Sequence, residues 1–120
     1  MATIPPLSHL REVEERLSLT PLCLLYVKSA DCGLCDAMLL RIGRMLEDLE
    51  GAEGPGFDAF SIDIREEPSV SGRFLVLSAP TALLFLDGKE VYRAGTFIDV
   101  GEVKRKIRFF LGIVSERTLS

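Results

Sequence analysis

Apolar and polar residues recur along the chain with periods that predict alternating helices and strands. The first helix is predicted from about Leu7 to Leu17, because Leu10, Val13 and Leu17 recur at steps of three and four between charged residues. The continuous apolar run Leu22–Lys28 follows, and a run of that length is typical of a strand covered on both faces. The chain therefore starts with a helix followed by a buried strand.

The middle of the chain repeats this alternation. A long helix is predicted from apolar residues that step by three or four, namely Leu34, Met38, Ile42, Met45 and Leu49. The alternating segment from Phe57 to Ile64 predicts a second strand. A short helix is then expected to open at residues 66–69, where acidic residues and a proline fit a first helical turn. Its expected buried residues are Val70, Phe74 and Leu75.

The last third of the chain has the pattern of a hairpin followed by a helix. Asp87-Gly88 is a two-residue turn that would join the apolar run Ala82–Leu86 to a strand at Lys89–Ala94, and Gly95 would end that strand. Asp99, with Glu102 three residues later, is typical of a helix start. The apolar stripe of this final helix consists of Val103, Ile107, Phe110 and Leu111.

The resulting order is α–β–α–β–α–β–β–α, which is typical of an α/β protein. Strands separated by helices are expected to run parallel, whereas the hairpin strands are antiparallel, so the sheet is predicted to be mixed and covered by helices. The pattern contains no internal repeat and no long linker. We therefore expect one domain spanning residues 1–120, with its core at residues 22–111 and a helix preceding that core.

Composition narrows the classes of function. The chain has 120 residues, 48% of them hydrophobic, and a net charge of −4, which argues against general binding of nucleic acids or anionic membranes. Its longest apolar runs are far shorter than the roughly 20 residues of a membrane span. Residues 1–6 lack the pattern of a secretory signal. The expected location is the cytoplasm, where thiols are kept reduced.

Two cysteines carry the most specific chemistry in the sequence. Cys32-Gly33-Leu34-Cys35 lies between the first predicted strand and the long helix, where the two thiols are within reach of a disulfide. The positive end of the helix dipole favours a thiolate on Cys32. Gly33 is expected to permit a tight turn. Such a pair can exchange disulfides, with Cys32 attacking a substrate and Cys35 resolving the mixed disulfide.

Further motifs make the sequence similar to the thioredoxin family over residues 22–111. These are Ala79-Pro80-Thr81 at the start of the next-to-last strand and Asp87-Gly88 followed by Gly95. The resemblance implies a three-layer α/β/α sandwich with a mixed central sheet. It also implies that Pro80 is cis and lies against the cysteines, and that Ala79 pairs with the substrate backbone. Gly33, Leu34 and Gly95 would complete the substrate-binding surface.

The sequence departs from typical thioredoxins around the cysteines. Asp31 and Leu34 replace the tryptophan and proline of the usual motif, and Tyr26 occupies the position of a buried acid. A phenol is a poor base at neutral pH. Asp31 and Asp36 would oppose a thiolate by their charge, and they could handle protons or simply favour the helix start. The resemblance is therefore to a thioredoxin-like protein rather than to a typical thioredoxin.

The leading functional prediction is a thiol–disulfide oxidoreductase with Cys32 as nucleophile and Cys35 as resolving thiol. Its substrate would be a protein segment docked beside Ala79 or a small disulfide, and its electrons would come from a reductase or a low-molecular-weight thiol. No bound cofactor is implied. The alternatives are a thioredoxin-like binding module with little redox activity, or metal carriage between subunits through the cysteine pair.

A metal site within one chain is disfavoured by the inventory of ligands. Beyond the cysteine pair, the remaining candidate ligands are Cys23 and His9, whereas structural zinc sites take four ligands. Cys23 lies in an apolar run and is expected to pack in the core. His9 is expected at the surface.

Overall fold

A computed structural model describes residues 4–119, so residues 1–3 and 120 of the predicted domain lie outside the described part. Within it the chain forms five strands and four helices. In chain order they are β1 (Pro6–Leu7), α1 (Leu10–Leu19), β2 (Leu22–Lys28), α2 (Gly33–Glu47), β3 (Phe57–Asp63), α3 (Ser69–Phe74), β4 (Thr81–Leu86), β5 (Lys89–Gly95) and α4 (Val100–Leu119).

The strands form one mixed sheet in the order β1-β3-β2-β4-β5. β3 is parallel to both β1 and β2, whereas β4 is antiparallel to both β2 and β5. The central strand β2 is buried over all but its last residue, as its continuous apolar run predicts. The predicted mixed central sheet is therefore confirmed.

A hydrophobic core lies on each face of this sheet. Helices α2 and α4 cover one face with Met38, Ile42, Met45, Leu46, Val103, Ile107 and Val114. Helices α1 and α3 cover the other face with Val13, Leu17, Val70 and Phe74. Because side chains of a strand point alternately to opposite faces, successive residues of β2 divide between the two cores. The three-layer α/β/α arrangement is confirmed.

The start of the chain differs from the prediction. Pro6 and Leu7 form a short parallel strand beside Ser61 and Ile62, so helix α1 begins at Leu10 rather than at Leu7. The missing N–H of Pro6 is tolerated because β1 is an edge strand. A two-residue strand is too short to give a periodic signal in the sequence.

The third helix also differs. It begins at Ser69, so residues 66–67 lie in the preceding turn rather than in the helix. Val70 and Phe74 are buried as predicted, but Leu75 is 73% exposed. The helix ends at Phe74, and Leu75 adopts a left-handed conformation with φ 55°. A residue that leaves the helix in this way no longer continues its buried stripe.

The direction of β4 is the main correction to the predicted topology. The helix between β3 and β4 predicted a parallel crossover, yet β4 is antiparallel to β2 and hence to β3. Helix α3 has only six residues, or about 9 Å of helix, and does not carry the chain back along the length of the sheet. The chain therefore enters β4 at the same end of the sheet at which it left β3.

The hairpin and the final helix follow the sequence signals. Asp87 and Gly88 both have positive φ, 52° and 79°, as a tight two-residue turn requires. The backbone N–H of Glu102 donates to Oδ1 of Asp99 at 3.1 Å, so Asp99 caps the start of α4. None of the helices in the described part of the chain is long and apolar enough to cross a membrane.

Candidate functional site

Four chain segments meet at one end of the sheet, where β2 and β3 end and β4 begins. Lys28 ends β2 opposite Asp63 at the end of β3, while Thr81 at the start of β4 is the partner of both Val27 and Gly95. The loops that follow β2, β3 and β5 and the loop that precedes β4 therefore lie together at this end of the sheet. The predicted cysteine motif begins where the loop after β2 meets α2, and the predicted proline motif lies where the loop before β4 meets that strand.

Cys32 and Cys35 form a disulfide at the start of α2. Their Cα atoms are 5.2 Å apart, and the backbone N–H of Cys35 donates to Sγ of Cys32 at 3.0 Å. Cys32 is half-buried, whereas Cys35 is fully buried. Cys32 therefore offers the sulfur that a substrate can reach, and Cys35 lies behind it.

The local backbone places Cys32 where negative charge is stabilised. Cys32 is the N-cap of α2, and its Sγ accepts a hydrogen bond from an N–H of the first helical turn. When the disulfide opens, this N–H and the helix dipole stabilise a thiolate at that position. Asp31, just before Cys32, has a left-handed backbone with φ 58°. Its exposed carboxylate lies 3.7 Å from Nη1 of Arg65.

Tyr26 joins the central strand to the cysteine pair. Its side chain is fully buried, and its hydroxyl donates to the backbone oxygen of Cys35 at 2.6 Å. Burial raises the pKa of Tyr26, and the negative charge of Asp36 raises it further. The phenol therefore remains protonated at neutral pH, where it acts as a hydrogen-bond donor and not as a base.

The proline motif is held in place by hydrogen bonds from its neighbours. The Ala79–Pro80 peptide bond is cis. The hydroxyl of Thr81 donates to the carbonyl of Ser78 at 2.7 Å, and the N–H of Thr96 donates to the carbonyl of Pro80 at 2.8 Å. Thr96 has φ 58°, which is rare for a β-branched residue. Such conformations concentrate at functional sites.

The structure changes the explanation of two predicted glycines. A Cβ on Gly33 would meet nothing within 4 Å, and a Cβ on Gly95 would make only an ordinary 3.6 Å contact with Thr81. Steric need therefore does not account for either glycine, contrary to the tight turn expected at Gly33. Both residues are exposed, so their backbones are open to a ligand. Leu34, between the cysteines, is half-buried and packs on the core.

Two exposed apolar residues beside the site were not predicted. Leu77 is 95% exposed in the loop before Ala79, and Phe97 is 80% exposed in the loop after Gly95. Arg93 supports the loop of Leu77, because its guanidinium donates to the carbonyls of Phe74 and Leu75 at 2.5 and 2.7 Å. An apolar residue in a loop that flanks a motif is the sequence signal that could have identified Leu77 and Phe97.

The remaining candidate ligands lie away from the cysteine motif. Cys23 belongs to the core under α1 and α3, and its thiol donates to the carbonyl of Thr20 at 3.4 Å. His9 is exposed at the start of α1. Among residues 4–119, no three His, Cys, Asp or Glu side chains are grouped so that they could hold a metal ion.

Cys23 should behave as an inert thiol. Burial raises its pKa to about 12, with a smaller contribution from the charge of Asp58, so its thiolate is scarce at pH 8. We expect iodoacetamide to label no cysteine of the native oxidised protein, one after unfolding, and three after reduction and unfolding. Mass spectrometry gives these numbers directly. Labelling of Cys23 in the native protein within minutes would contradict its burial.

Comparisons with known proteins agree with this geometry. No protein-family model matches the chain. It is 25% identical to a thioredoxin-like protein, YdfQ, from Bacillus subtilis, over 90% of this chain and 92% of that protein. It is also 37% identical to a thioredoxin from Staphylococcus haemolyticus, but over only 50% of this chain and 54% of that protein.

Solved structures show the same fold. A thioredoxin from Trypanosoma brucei brucei superimposes with a TM-score of 0.75 and 15% identity, covering 92% of each chain. A mutant thioredoxin from Halobacterium salinarum gives a TM-score of 0.73 with 21% identity, covering 92% of this chain and 95% of that one.

The class of protein follows from the sheet order, the two helical layers and the disulfide at the start of α2: this is a thioredoxin fold with a CxxC pair. The chain shares this fold with the thioredoxins, and its sequence is similar to that of a thioredoxin-like protein over nearly its whole length, in agreement with the resemblance in its motifs.

Proposed function

We propose that this protein is a thiol–disulfide oxidoreductase in which Cys32 is the nucleophile and Cys35 the resolving thiol. The observation that carries the proposal is the disulfide between a half-buried Cys32 and a fully buried Cys35 at a helix N-terminus. The accessible sulfur is the one whose thiolate the helix stabilises, and it is therefore suited to attack a substrate.

The reaction is two successive thiol–disulfide exchanges. The Cys32 thiolate attacks one sulfur of the substrate disulfide, forms a mixed disulfide and releases the other substrate sulfur as a thiolate. Cys35 then loses its proton and attacks Sγ of Cys32, which releases the second substrate sulfur and forms the Cys32–Cys35 disulfide. Either Asp31 or Asp36 is proposed to take the proton of Cys35, since the phenol of Tyr26 cannot.

The active pair must be reduced again to complete a cycle. The two electrons would come from a reductase or a low-molecular-weight thiol, by the same exchange in reverse. This supply suits the cytoplasm, which maintains such reductants. The proposal requires no bound cofactor.

We propose an extended segment of a disulfide-bearing protein as the substrate. Ala79 and Pro80 would bind its backbone, while Gly33, Leu34 and Gly95 leave an open surface beside them. The exposed side chains of Leu77 and Phe97 flank the two loops of this surface, and they would pack on apolar residues of the segment. A small disulfide would reach Cys32 without those contacts.

The two exposed apolar residues should therefore favour protein substrates. Changing Leu77 or Phe97 to Ser should lower the ratio of insulin reduction to hydroxyethyl disulfide reduction by about fivefold to thirtyfold, because partial burial of such a side chain contributes about 1–2 kcal/mol. The measurement is kcat/KM for both substrates in each variant.

Leu19 supplies the matched control for this measurement. It is 80% exposed at the end of α1, just before the start of β2, and it therefore lies at the end of the sheet opposite the cysteine pair. Leu19→Ser should leave the ratio unchanged. An equal ratio in the Leu77, Phe97 and Leu19 variants would show that the two loops do not bind the protein substrate.

An insulin assay tests the proposed activity itself. We expect the protein to accelerate insulin reduction by dithiothreitol. A rate no greater than that of dithiothreitol alone would contradict the proposal. In that case, binding of a partner that persists after both Cys32 and Cys35 are changed to Ser would favour a binding module.

A further inference from the structure

The mouth of the cysteine site carries two carboxylates. Asp31 directly precedes Cys32 and Asp36 directly follows Cys35. The side chain of Asp31 is 95% exposed, and Asp36 is also exposed. A substrate disulfide that reaches Cys32 must therefore place its flanking groups close to these two charges.

Nearby cations offset these charges only in part. Arg65 lies 3.7 Å from Asp31, but its side chain is 62% exposed, and ion pairs at the surface are weak. Lys28 and Asp63 are register partners at the ends of neighbouring strands, so together they add no net charge to this end of the sheet. Asp36 has no ion-pair partner among residues 4–119. The charges that flank the cysteines thus remain net negative.

The field of Asp36 also extends inward. Its charge contributes to the raised pKa of Tyr26, whose hydroxyl contacts the backbone of Cys35. The backbone N–H of Asp36 donates to the carbonyl of Cys32 at 3.2 Å, so Asp36 lies one helical turn from Cys32, beside the groups that flank a bound disulfide.

We propose that Asp31 and Asp36 make this site select disulfides flanked by cationic groups, as on basic protein segments, over anionic disulfides such as glutathione disulfide. The inference rests on the proposed exchange at Cys32. Two unit charges a few ångströms apart near a protein surface interact strongly enough to change a rate about threefold to tenfold. Attraction and repulsion by the same carboxylates add up when a cationic and an anionic substrate are compared.

Three small disulfides test the selection without any protein docking. Cystamine carries two positive charges, hydroxyethyl disulfide is neutral, and glutathione disulfide is anionic. The measured quantity is the second-order rate at which each oxidises the fully reduced protein. The neutral disulfide serves as reference, because it corrects for any change in the reactivity of Cys32 itself.

The expected result is a change in selectivity. In the double variant Asp31→Asn, Asp36→Asn, the ratio of the cystamine rate to the glutathione disulfide rate, each relative to the neutral disulfide, should fall at least about tenfold. Arg65→Gln should raise the same ratio, because it removes the cation beside Asp31. High salt should reduce the ratio in the unaltered protein, since these charges are exposed.

Glu47→Gln is the matched control, because it removes one exposed carboxylate from the opposite end of α2. A double variant with the same ratio as Glu47→Gln would overturn the proposed selection. Failure of hydroxyethyl disulfide to oxidise the reduced protein would instead overturn the proposed oxidoreductase function. The two failures are therefore distinguishable within one set of measurements.

Discussion

Replacing Cys32 by Ser is expected to lower the rate of disulfide reduction by on the order of a thousandfold or more, because an alcohol at this position supplies no thiolate nucleophile. Cys35→Ser is expected to behave differently. It retains the accessible Cys32 but lacks the buried thiol that would release the substrate. The mixed disulfide should therefore accumulate.

Mass spectrometry under non-reducing conditions distinguishes the two variants. Cys35→Ser mixed with hydroxyethyl disulfide should gain the mass of one mercaptoethanol group on Cys32, and Cys32→Ser should gain none. Cys23→Ala serves as the control, since Cys23 lies in the core under α1 and α3. A Cys32→Ser variant as active as the unaltered protein would contradict the assigned roles.

The second large effect is expected on stability, at Tyr26. Changing Tyr26 to Ala in the oxidised protein should lower the free energy of unfolding by about 3–5 kcal/mol, because it leaves a cavity in the core under α2 and α4. Tyr26→Phe keeps the ring and removes only the hydroxyl that donates to the backbone of Cys35. Its expected cost is about 1 kcal/mol.

Urea denaturation of both variants separates packing from hydrogen bonding. The unfolding midpoint should decrease slightly for Tyr26→Phe and strongly for Tyr26→Ala, with similar slopes. Leu40→Ala is a suitable control, because Leu40 lies on α2, the helix that carries the cysteine pair, but is 55% exposed. A loss no larger for Tyr26→Ala than for Leu40→Ala would contradict the burial of Tyr26.

The cysteine motif could be predicted from the sequence because the residues that position it are its neighbours along the chain. The switch from a continuous apolar run to a helical period places Cys32 between β2 and α2, and the structure has it as the N-cap of that helix. The helix start at Asp99 and the tight turn at Asp87-Gly88 could also be predicted, because caps and tight turns depend on a few consecutive residues.

The direction of β4 could not be read from the order of elements alone. The rule that a helix between strands makes a parallel crossover fails here, because α3 is too short to return the chain along the sheet. Because β4 is antiparallel, Thr81 and therefore Pro80 lie at the end of the sheet where β2 and β3 finish. A parallel β4 would have placed the proline motif at the opposite end of the sheet from the cysteines.

The other differences depend on contacts between distant residues. Leu75 is turned outward by a left-handed backbone whose carbonyl binds Arg93 of β5. The sequence shows Tyr26 as a weak base, but its bond to Cys35 exists only because β2 packs beneath α2. Local patterns do not carry such pairings, since the partners come from different elements.

Equilibration with mixtures of reduced and oxidised glutathione tests directly whether Cys32 and Cys35 form a reversible redox pair. After acid quenching, alkylation and mass spectrometry give the fraction of protein that contains the Cys32–Cys35 disulfide. We expect one reversible two-electron transition, in which about 30 mV corresponds to a tenfold change in the equilibrium constant and Cys23 remains a thiol throughout. If Cys32 and Cys35 form no disulfide at any glutathione potential, the proposed function is wrong.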